Sequence, residues 1–434
     1  MPSTHRQPNV LMVICHDLGH HVGCLGAGVN TPAIDDLAAD GVLFDHYLCS
    51  AAQCSPSRGS LMTGLYPHRN GLMGLAHIGW ELNEDVRCLP HYLNDVGYQT
   101  HLFGLQHESG RAERLGYGRT HPSGGKALEV ARLVAQFLRE HAASGDRQPF
   151  CLNAGLFEPH RPYRQEGYRS DDPAEVAPLP WLPDRPGIRQ DIADLNGLVR
   201  AVDEAVSLIG GALSETGLDR LTLLIFTTDH GLAMPRAKGT CYEPGLRTVL
   251  VTRLPGRFDA GRRESALLTN CDLLPTILDL AGAPPVEGLD GRSFLGLLDG
   301  GEYQPRDSVF SEMTWHDKYN PMRSIRTTRH KYIRNFGDRP LVYLPLDVYQ
   351  GLAGREMREE YYGSRRPEEE LYDVEADPWE RRNRADDPAH GDTLADLRSR
   401  VECWMAETRD PLLGGDIPPT PEQVTRIAEW GEDN

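Results

Sequence analysis

Short apolar runs alternate with amphipathic stretches along the first part of the chain. Residues 9–15 are almost entirely apolar, which predicts a strand buried on both faces, as in a parallel sheet. Residues 31–41 then predict a helix, with Thr31 as its N-cap, Pro32 in its first turn and Gly41 at its end. Repetition of this strand-helix unit predicts an α/β fold, with a large, mostly parallel sheet between layers of helices.

Polar residues follow several of the predicted strands. Further strands are predicted over residues 97–104, 148–154 and 221–227, and further helices over residues 127–141 and 190–216. The histidines and aspartates that come just after strand candidates are His16, Asp17, His107, His160, Asp229 and His230. In parallel sheets, ligands gather at the carboxyl ends of the strands. We therefore expect these side chains to converge at one edge of the sheet.

The pattern changes near residue 306. Residues 324–334 alternate between apolar and polar positions, which predicts an antiparallel strand pair. A short strand is predicted over residues 370–374, and a terminal helix over residues 392–407. We therefore divide the chain into a large α/β domain, residues 1–306, and a C-terminal α+β subdomain, residues 307–434, built on a small antiparallel sheet. The subdomain is expected to pack against the large domain and to wall its cleft.

Composition and charge restrict the possible partners. The chain has 434 residues, of which 39% are hydrophobic, and its formal net charge is −18. That charge argues against nucleic acid as a partner and favours a small anion in a locally positive pocket. The apolar runs are too short to span a membrane, and the first residues lack the pattern of a signal peptide. Nine cysteines without paired spacing predict reduced thiols and a cytoplasmic location.

The sequence CSPSRG at residues 54–59 carries the strongest chemical signal. We expect Ser57 to cap a helix that begins after the motif and to direct the helix amides at an anion. Arg58 offers a guanidinium fork to the same anion or to a nucleophile. A buried cysteine beside a proline turn would explain an isolated match, but it leaves the polar residues at the strand ends unexplained.

A metal site and a proton donor are the other candidate features. Asp17, Asp229 and His230 are candidate ligands of one divalent cation, although a lone Asp after a strand is more often a helix cap. Carboxylates suit calcium, and the imidazole is also acceptable to manganese or zinc. His107 and His160 are candidates for a general acid, with structural roles as the alternative. Lys238 is either an anion clamp or a solvated lysine.

These motifs together resemble the type I sulfatase family, whose members have the alkaline-phosphatase-like fold. The resemblance implies that Cys54 is oxidised by a maturation enzyme to formylglycine. The hydrate of that aldehyde supplies one oxygen for attack at sulfur and a second hydroxyl for release of sulfate. It further implies Arg58 as partner of the nucleophile and Asp17, Asp229 and His230 as calcium ligands. His107 and His160 would then stand beside the leaving group, and Lys238 on the sulfate.

Residues 70–77 and 320–326 are similar to the sulfamidases within that family. The expected activity is therefore cleavage of a sulfamate or sulfate ester on a small sugar or aryl group. Arg323, in the second stretch, is expected to bind a substrate carboxylate or sulfate, with an interdomain salt bridge as the alternative. A phosphonate monoester or phosphodiester hydrolase is the second hypothesis, and a binding protein without activity is the third. A homodimer is possible.

Two positions depart from the family pattern. His16 stands where the family usually has the first of two Asp residues, so it is a possible additional ligand, and it makes manganese or zinc more credible. Leu105 stands where the family usually has a lysine two residues before the histidine at position 107. One cation that would hold the sulfate is therefore missing, which favours a monoanionic substrate over a dianionic phosphate.

Overall fold

The computed structural model describes residues 7–430, and two β-sheets carry the fold. The strands of the larger sheet are β1 (Asn9–Cys15), β2 (Val42–Leu48), β3 (Gln99–Gly104), β4 (Arg119–His121), β5 (Phe150–Gly155), β6 (Thr222–Thr228), β7 (Leu250–Arg253) and β8 (Arg262–Thr269). Their order across the sheet is β4-β3-β5-β1-β6-β7-β2-β8. All neighbours are parallel except β7, which runs antiparallel to β6 and β2.

The smaller sheet is antiparallel throughout. Its strands are β9 (Ser308–Trp315), β10 (Tyr319–Thr327), β11 (His330–Asn335) and β12 (Glu369–Asp373), in the order β12-β11-β10-β9. The two sheets confirm the predicted fold class, a mostly parallel sheet followed by a small antiparallel one. The domain boundary between residues 306 and 307 stays a prediction.

Helices cover both faces of the larger sheet and flank the smaller one. They are α1 (Pro32–Ala39), α2 (Cys54–Thr63), α3 (Pro67–Asn70), α4 (Leu89–Asp95), α5 (Ala127–Ser144), α6 (Pro186–Thr216), α7 (Glu243–Leu246), α8 (Leu273–Leu280), α9 (Leu295–Leu298), α10 (Leu346–Gln350), α11 (Leu352–Tyr362), α12 (Gly391–Glu407) and α13 (Pro421–Trp430). In the described part of the chain, no helix combines the length and the apolar character that crossing a membrane requires.

Successive residues of β1 point to opposite faces of the sheet, as the strand period of two requires. Leu11, Val13 and Cys15 belong to a core with residues of α1, α5 and α6. Val10, Met12 and Ile14 belong to a second core with residues of α2, α4 and α8. Because β1 is covered on both faces, its apolar run is continuous, and the first polar side chains appear where the strand ends.

Two helix starts differ from the sequence prediction. Helix α2 begins at Cys54 itself, so Ser57 lies inside the first turn and its hydroxyl donates to the Asp229 carbonyl instead of capping the helix. Thr31 precedes α1, but its hydroxyl accepts from the Gly23 amide at 2.8 Å and makes no cap bond. The partner of Ser57 is 172 residues distant, whereas the Thr31 hydroxyl also donates to the nearby Asp35 carboxylate at 3.0 Å, so other hydrogen bonds occupy both hydroxyls.

Buried ion pairs join the C-terminal sheet to the larger domain. The ammonium of Lys331, on β11, lies 2.8 Å from the Glu243 carboxylate and 3.1 Å from that of Glu380. His68 pairs with Glu312, on β9, and both side chains are almost completely buried. The expected packing of the C-terminal segment against the large domain is therefore confirmed.

The substrate-binding role predicted for Arg323 is wrong. Its side chain is completely buried, and its Nε and Nη2 atoms donate to the two carboxylate oxygens of Asp410, Nη2 at 2.9 Å. Nη1 donates to the carbonyls of Met313 and Met322 and approaches the Thr314 hydroxyl. Every guanidinium nitrogen therefore has a protein partner. Arg323 does form a salt bridge, as the alternative predicted. However, both partners lie in the C-terminal segment, so the salt bridge does not join two domains.

Replacing Arg323 with Ala should lower stability without weakening substrate binding. The change leaves the Asp410 carboxylate buried and unpaired, which costs about 3–5 kcal/mol of unfolding free energy. Denaturant unfolding measures this loss, and KM of the folded fraction should stay unchanged. The control is Arg87→Ala at the exposed Arg87–Asp95 pair, where we expect a loss below about 1 kcal/mol. A raised KM at unchanged stability would contradict this assignment.

Candidate active site

Four neighbouring strands of the larger sheet deliver polar side chains to one place. In the order β3-β5-β1-β6, the residues that follow the strands are His107, His160, His16 with Asp17, and Asp229 with His230. The N-terminus of α2 brings Cys54 to the same point. Ligand atoms of Asp17, Cys54, Asp229 and His230 all lie within 4.8 Å of one another, as do those of His16, Asp17, Cys54 and His160. The expected convergence at the strand ends is therefore confirmed.

The Cys54 sulfur lies at the centre of this cluster. Its Sγ is 3.4 Å from His230 Nε2, 3.8 Å from Asp17 Oδ1 and 3.9 Å from His16 Nδ1. Burial raises the pKa of the thiol, but the Lys238 ammonium and the imidazoles lower it by more, so the net pKa is well below its ordinary value. The environment therefore stabilises negative charge at the side chain of residue 54.

Two buried aspartates form the anionic part of the cluster. Asp229 Oδ1 accepts from the amides of Asp17 and His230, each at 2.9 Å, and its Oδ2 accepts from Arg58 Nε at 2.9 Å. Asp17 Oδ2 accepts from the Lys238 ammonium at 2.8 Å. Burial raises the pKa of each carboxyl, but nearby positive groups, led by Lys238 at Asp17 and by His16 at Asp229, lower it below the ordinary range. These donors keep both carboxylates ionised and fixed.

His230 directs its Nε2 atom at the cluster. Its Nδ1 lies 2.9 Å from the Gly231 carbonyl, which can only accept, so Nδ1 carries a proton. Its Nε2 points at Asp17 Oδ1, 2.9 Å away. Burial lowers the pKa of this imidazole, but the Asp229 and Asp17 carboxylates raise it well above its ordinary value. A cation bound here would take the place of the proton on Nε2.

The donor set fits a divalent metal ion. Asp17 and Asp229 provide hard oxygen ligands, and His230 provides a nitrogen whose orientation a backbone carbonyl fixes. His16 Nδ1 lies 3.4 Å from Asp17 Oδ1 and 3.7 Å from Asp229 Oδ2, so it stands at the same position as the other candidate ligands. Two imidazoles with two carboxylates form a set that suits manganese or zinc as well as calcium.

Arg58 and Lys238 supply positive charge beside the cluster. Arg58 Nη2 donates to the Cys15 carbonyl at 3.2 Å, whereas its buried Nη1 has no hydrogen-bond partner among residues 7–430. A buried, unused guanidinium N–H is a donor for an anion that binds at Cys54. Lys238 is 1% exposed, so the alternative of a solvated lysine is wrong. Burial lowers its pKa, but Asp17 and Asp347 raise it by more.

The two candidate proton donors, His160 and His107, lie at different places around His16. His160 Nδ1 lies 2.6 Å from the Arg161 carbonyl, so its Nε2 faces Lys238 Nζ at 3.4 Å and Asp17 Oδ2 at 3.7 Å. The His107 ring stacks on His77, with centroids 5.3 Å apart, and its centroid lies 5.4 Å from that of His16. His107 Nδ1 is buried and has no partner in the described chain.

Sequence reasoning missed His77 and Asp347. His77 is exposed and its ring stacks on that of His107. It therefore lies on the solvent side of the histidine group, which consists of His16, His77, His107 and His160. Asp347 pairs with Lys238, Oδ2 to Nζ 2.9 Å, from a segment more than a hundred residues away. His77 lies within residues 70–77, which carried a sequence signal, whereas Asp347 gave no local signal. Arg323, as described above, is not part of the cluster.

Comparison with known proteins identifies close likenesses. A family model described as Sulfatase matches residues 8–283, and one described as N-sulphoglucosamine sulphohydrolase, C-terminal, matches residues 231–347. The N-sulphoglucosamine sulphohydrolase of Homo sapiens is 29% identical, over 94% of this chain and 92% of its own.

Solved structures share the fold. BT4656, in complex with its substrate D-glucosamine-2-N,6-O-disulfate, aligns with a TM-score of 0.73 at 19% identity, over 93% of this chain and 98% of that one. The phosphonate monoester hydrolase of Agrobacterium radiobacter aligns with a TM-score of 0.71 at 21% identity, over 94% of this chain and 97% of that one.

A divalent metal ion should stabilise the folded protein through Asp229. After treatment with a chelator, adding calcium, manganese or zinc at about 100 times its Kd should raise the unfolding free energy by about 2.7 kcal/mol. Thermal unfolding with and without each metal measures the effect. Asp229→Asn should remove the metal-dependent difference, and Asp95→Asn, at an exposed pair, should keep it. An equal metal response in Asp229→Asn would rule out this cluster as the binding site.

Proposed function

Since the chain belongs to the sulfatase family, whose model covers residues 8–283, we propose that it hydrolyses the N-sulfate or O-sulfate of a small sugar. The observation that carries the proposal is the position of Cys54. Its sulfur lies at the start of α2, 3.4 Å from His230 Nε2 and 3.8 Å from Asp17 Oδ1. This position suits a nucleophile that a bound cation activates and that attacks an anionic group such as a sulfate.

The nucleophile we propose is formylglycine, made from Cys54 by a maturation enzyme. Its hydrate supplies an oxygen that attacks sulfur and a second hydroxyl whose deprotonation releases sulfate. A divalent cation held by Asp17, Asp229 and His230, with His16 as an additional ligand, would lower the pKa of that oxygen. Calcium is our first choice and manganese the second, because two imidazoles are present.

The protein side chains around this centre have separate tasks. Arg58 Nη1 and Lys238 Nζ bind the sulfate oxygens, where negative charge is concentrated in the transition state. When the S–N or S–O bond breaks, the leaving atom needs a proton. Because the Arg161 carbonyl can only accept, His160 Nδ1 keeps its own proton, and Nε2 is the ring nitrogen that can pass a proton to the leaving atom. His107 lies on the other side of His16 and is the second candidate for the same task.

A sulfamate is the substrate we favour within this class. The relative from Homo sapiens is named as an N-sulphoglucosamine sulphohydrolase, and the matching C-terminal family model carries the same name. A sulfamate, like a sulfate ester, has a single negative charge, so either tolerates the neutral Leu105 at the position where the family usually has a lysine better than a dianionic phosphate would. We also propose a reducing compartment, the cytoplasm, because all nine cysteines are free thiols in the structure.

Conversion of Cys54 should be visible in the intact mass. Protein produced together with a formylglycine-generating enzyme should lose mass by the difference between a thiol-bearing methylene and an aldehyde, at Cys54 alone. Tandem mass spectrometry of the peptide locates the change. Cys54→Ala should lose both the shift and the turnover, whereas Cys88→Ala, at another buried thiol, should keep the shift. Full activity of Cys54→Ala would refute the proposed nucleophile.

A panel of three substrates tests the reaction class. We expect the converted enzyme to release sulfate from glucosamine N-sulfate and from an aryl sulfate, and to act poorly on a phosphonate monoester with a phenyl ester group. Sulfate and phosphonate release are measured at equal substrate concentration, with Cys54→Ala as the blank. A preference for the phosphonate would favour the phosphonate hydrolase hypothesis. Failure on all three substrates, in protein that carries formylglycine and metal, would favour a binding protein.

A further inference from the structure

Two side chains of the C-terminal segment reach the cluster from outside the sheet. Asp347, in the first turn of α10, places its Oδ2 2.9 Å from Lys238 Nζ. Its other carboxylate oxygen, Oδ1, is buried and has no hydrogen-bond partner in the part of the chain that the structure describes. A carboxylate has about four acceptor positions, so Asp347 retains unused capacity to accept hydrogen bonds.

His316, directly after β9, is the second of these side chains. It is 5% exposed, and its Nε2 has no hydrogen-bond partner among the described residues. Its Nδ1 lies 3.0 Å from Asp317 Oδ2, which is an ion-pair contact without hydrogen-bond alignment. A buried imidazole nitrogen without a partner, such as Nε2 here, is rare in a folded protein and needs an explanation, such as a ligand that it binds.

The backbone fixes both side chains relative to each other. Asp317 Oδ2 accepts from the amide of Leu346, which precedes Asp347, and from the Tyr343 hydroxyl at 3.2 Å. The turn after β9 and the start of α10 are therefore tied together at one carboxylate. A residue pair held in this way can present two hydrogen-bonding groups at a set separation.

His316 lies near enough to the cluster to share its electrostatics. Burial lowers the pKa of His316 and Asp317 raises it by more, with smaller contributions from Lys238 and Asp347. His316 in turn lowers the pKa of the exposed His77, after the larger effects of burial and His107. These electrostatic effects agree with the contacts above, in which Asp317 ties His316 to the start of α10 and Asp347 pairs with Lys238.

Space for a ligand is available beside Asp347. It lines a cavity of about 610 Å³, together with Arg161, Tyr163, Arg164, Gln350 and Arg355. A cavity of this size is in the range of small-molecule sites, and its lining has many polar groups. Because Lys238 joins Asp347 to Asp17, the cavity begins next to the reacting centre.

We propose that His316 and Asp347 form the subsite for the leaving group and bind the hydroxyl groups of a sugar. A hydroxyl both donates and accepts, so it satisfies a carboxylate and an imidazole at the same time. An aryl leaving group has no such hydroxyls. The inference rests on the proposed function, and it names the part of the enzyme that selects a sugar over other sulfated molecules.

The test compares a sugar substrate with an aryl substrate in His316→Ala. The ratio of kcat/KM for glucosamine N-sulfate to that for an aryl sulfate should fall about tenfold to a hundredfold, the effect of one lost hydrogen bond to a charged group. Asp347→Asn should lower the same ratio. The control is His68→Ala at the buried His68–Glu312 pair, which should lower stability and leave the ratio unchanged. An unchanged ratio in folded His316→Ala overturns the proposal.

Inhibition by free glucosamine separates this inference from the proposed function. Glucosamine should compete with the aryl sulfate in the wild type, and its inhibition constant should rise about tenfold or more in His316→Ala. If the wild type fails to cleave the N-sulfate but glucosamine still competes through His316, the substrate proposal fails and the subsite stands. Equal inhibition constants for the wild type and His316→Ala would contradict the proposed subsite. If His316→Ala does not fold, His316→Gln serves in its place.

Discussion

Two buried carboxylates at the ends of adjacent parallel strands determine how the rest of the molecule is arranged. Asp17 and Asp229 have no exposed surface, and an unpaired buried charge is strongly destabilising. Each aspartate therefore needs positive partners from elsewhere in the chain. Arg58 fixes α2 against Asp229, and Lys238 fixes the loop after β6 against Asp17. The ion pairs that offset the cost of burying Asp17 and Asp229 are therefore the same contacts that assemble the site.

The second sheet becomes part of the site through this arrangement. Lys238 is shared between Asp17 and Asp347, so the anionic centre at the strand ends is connected directly to α10. Buried pairs at Lys331 and His68 hold the antiparallel sheet in place around it. The parallel sheet provides the buried cluster of Asp17, Asp229 and His230, and the C-terminal segment contributes Asp347 beside it.

Much of the centre was predictable because the signals are local. A continuous apolar run predicted β1 to the residue, and the polar residues after four strands indicated the shared edge. The roles of Ser57 and Arg323 were not predictable in this way. Their partners, Asp229 and Asp410, are 172 and 87 residues distant, so a pattern within a few residues carries no information about them. Asp347 was missed for the same reason, since its importance comes only from Lys238.

The burial of Cys54 has a consequence for the order of events during synthesis. With 2% of its surface exposed, this thiol lies beyond the reach of another protein once α2 has packed. The maturation enzyme that we propose would therefore act on the chain before α2, the first helix after β2, has packed. Burial of Cys54 requires the ion pairs that Asp229 and Lys238 form. Asp347 is synthesised later still. A long stretch of polypeptide therefore leaves the ribosome before the residues around Cys54 can pack. The interval between the appearance of residue 54 and that of residue 229 is the period in which the thiol is available, and conditions that speed folding would shorten it.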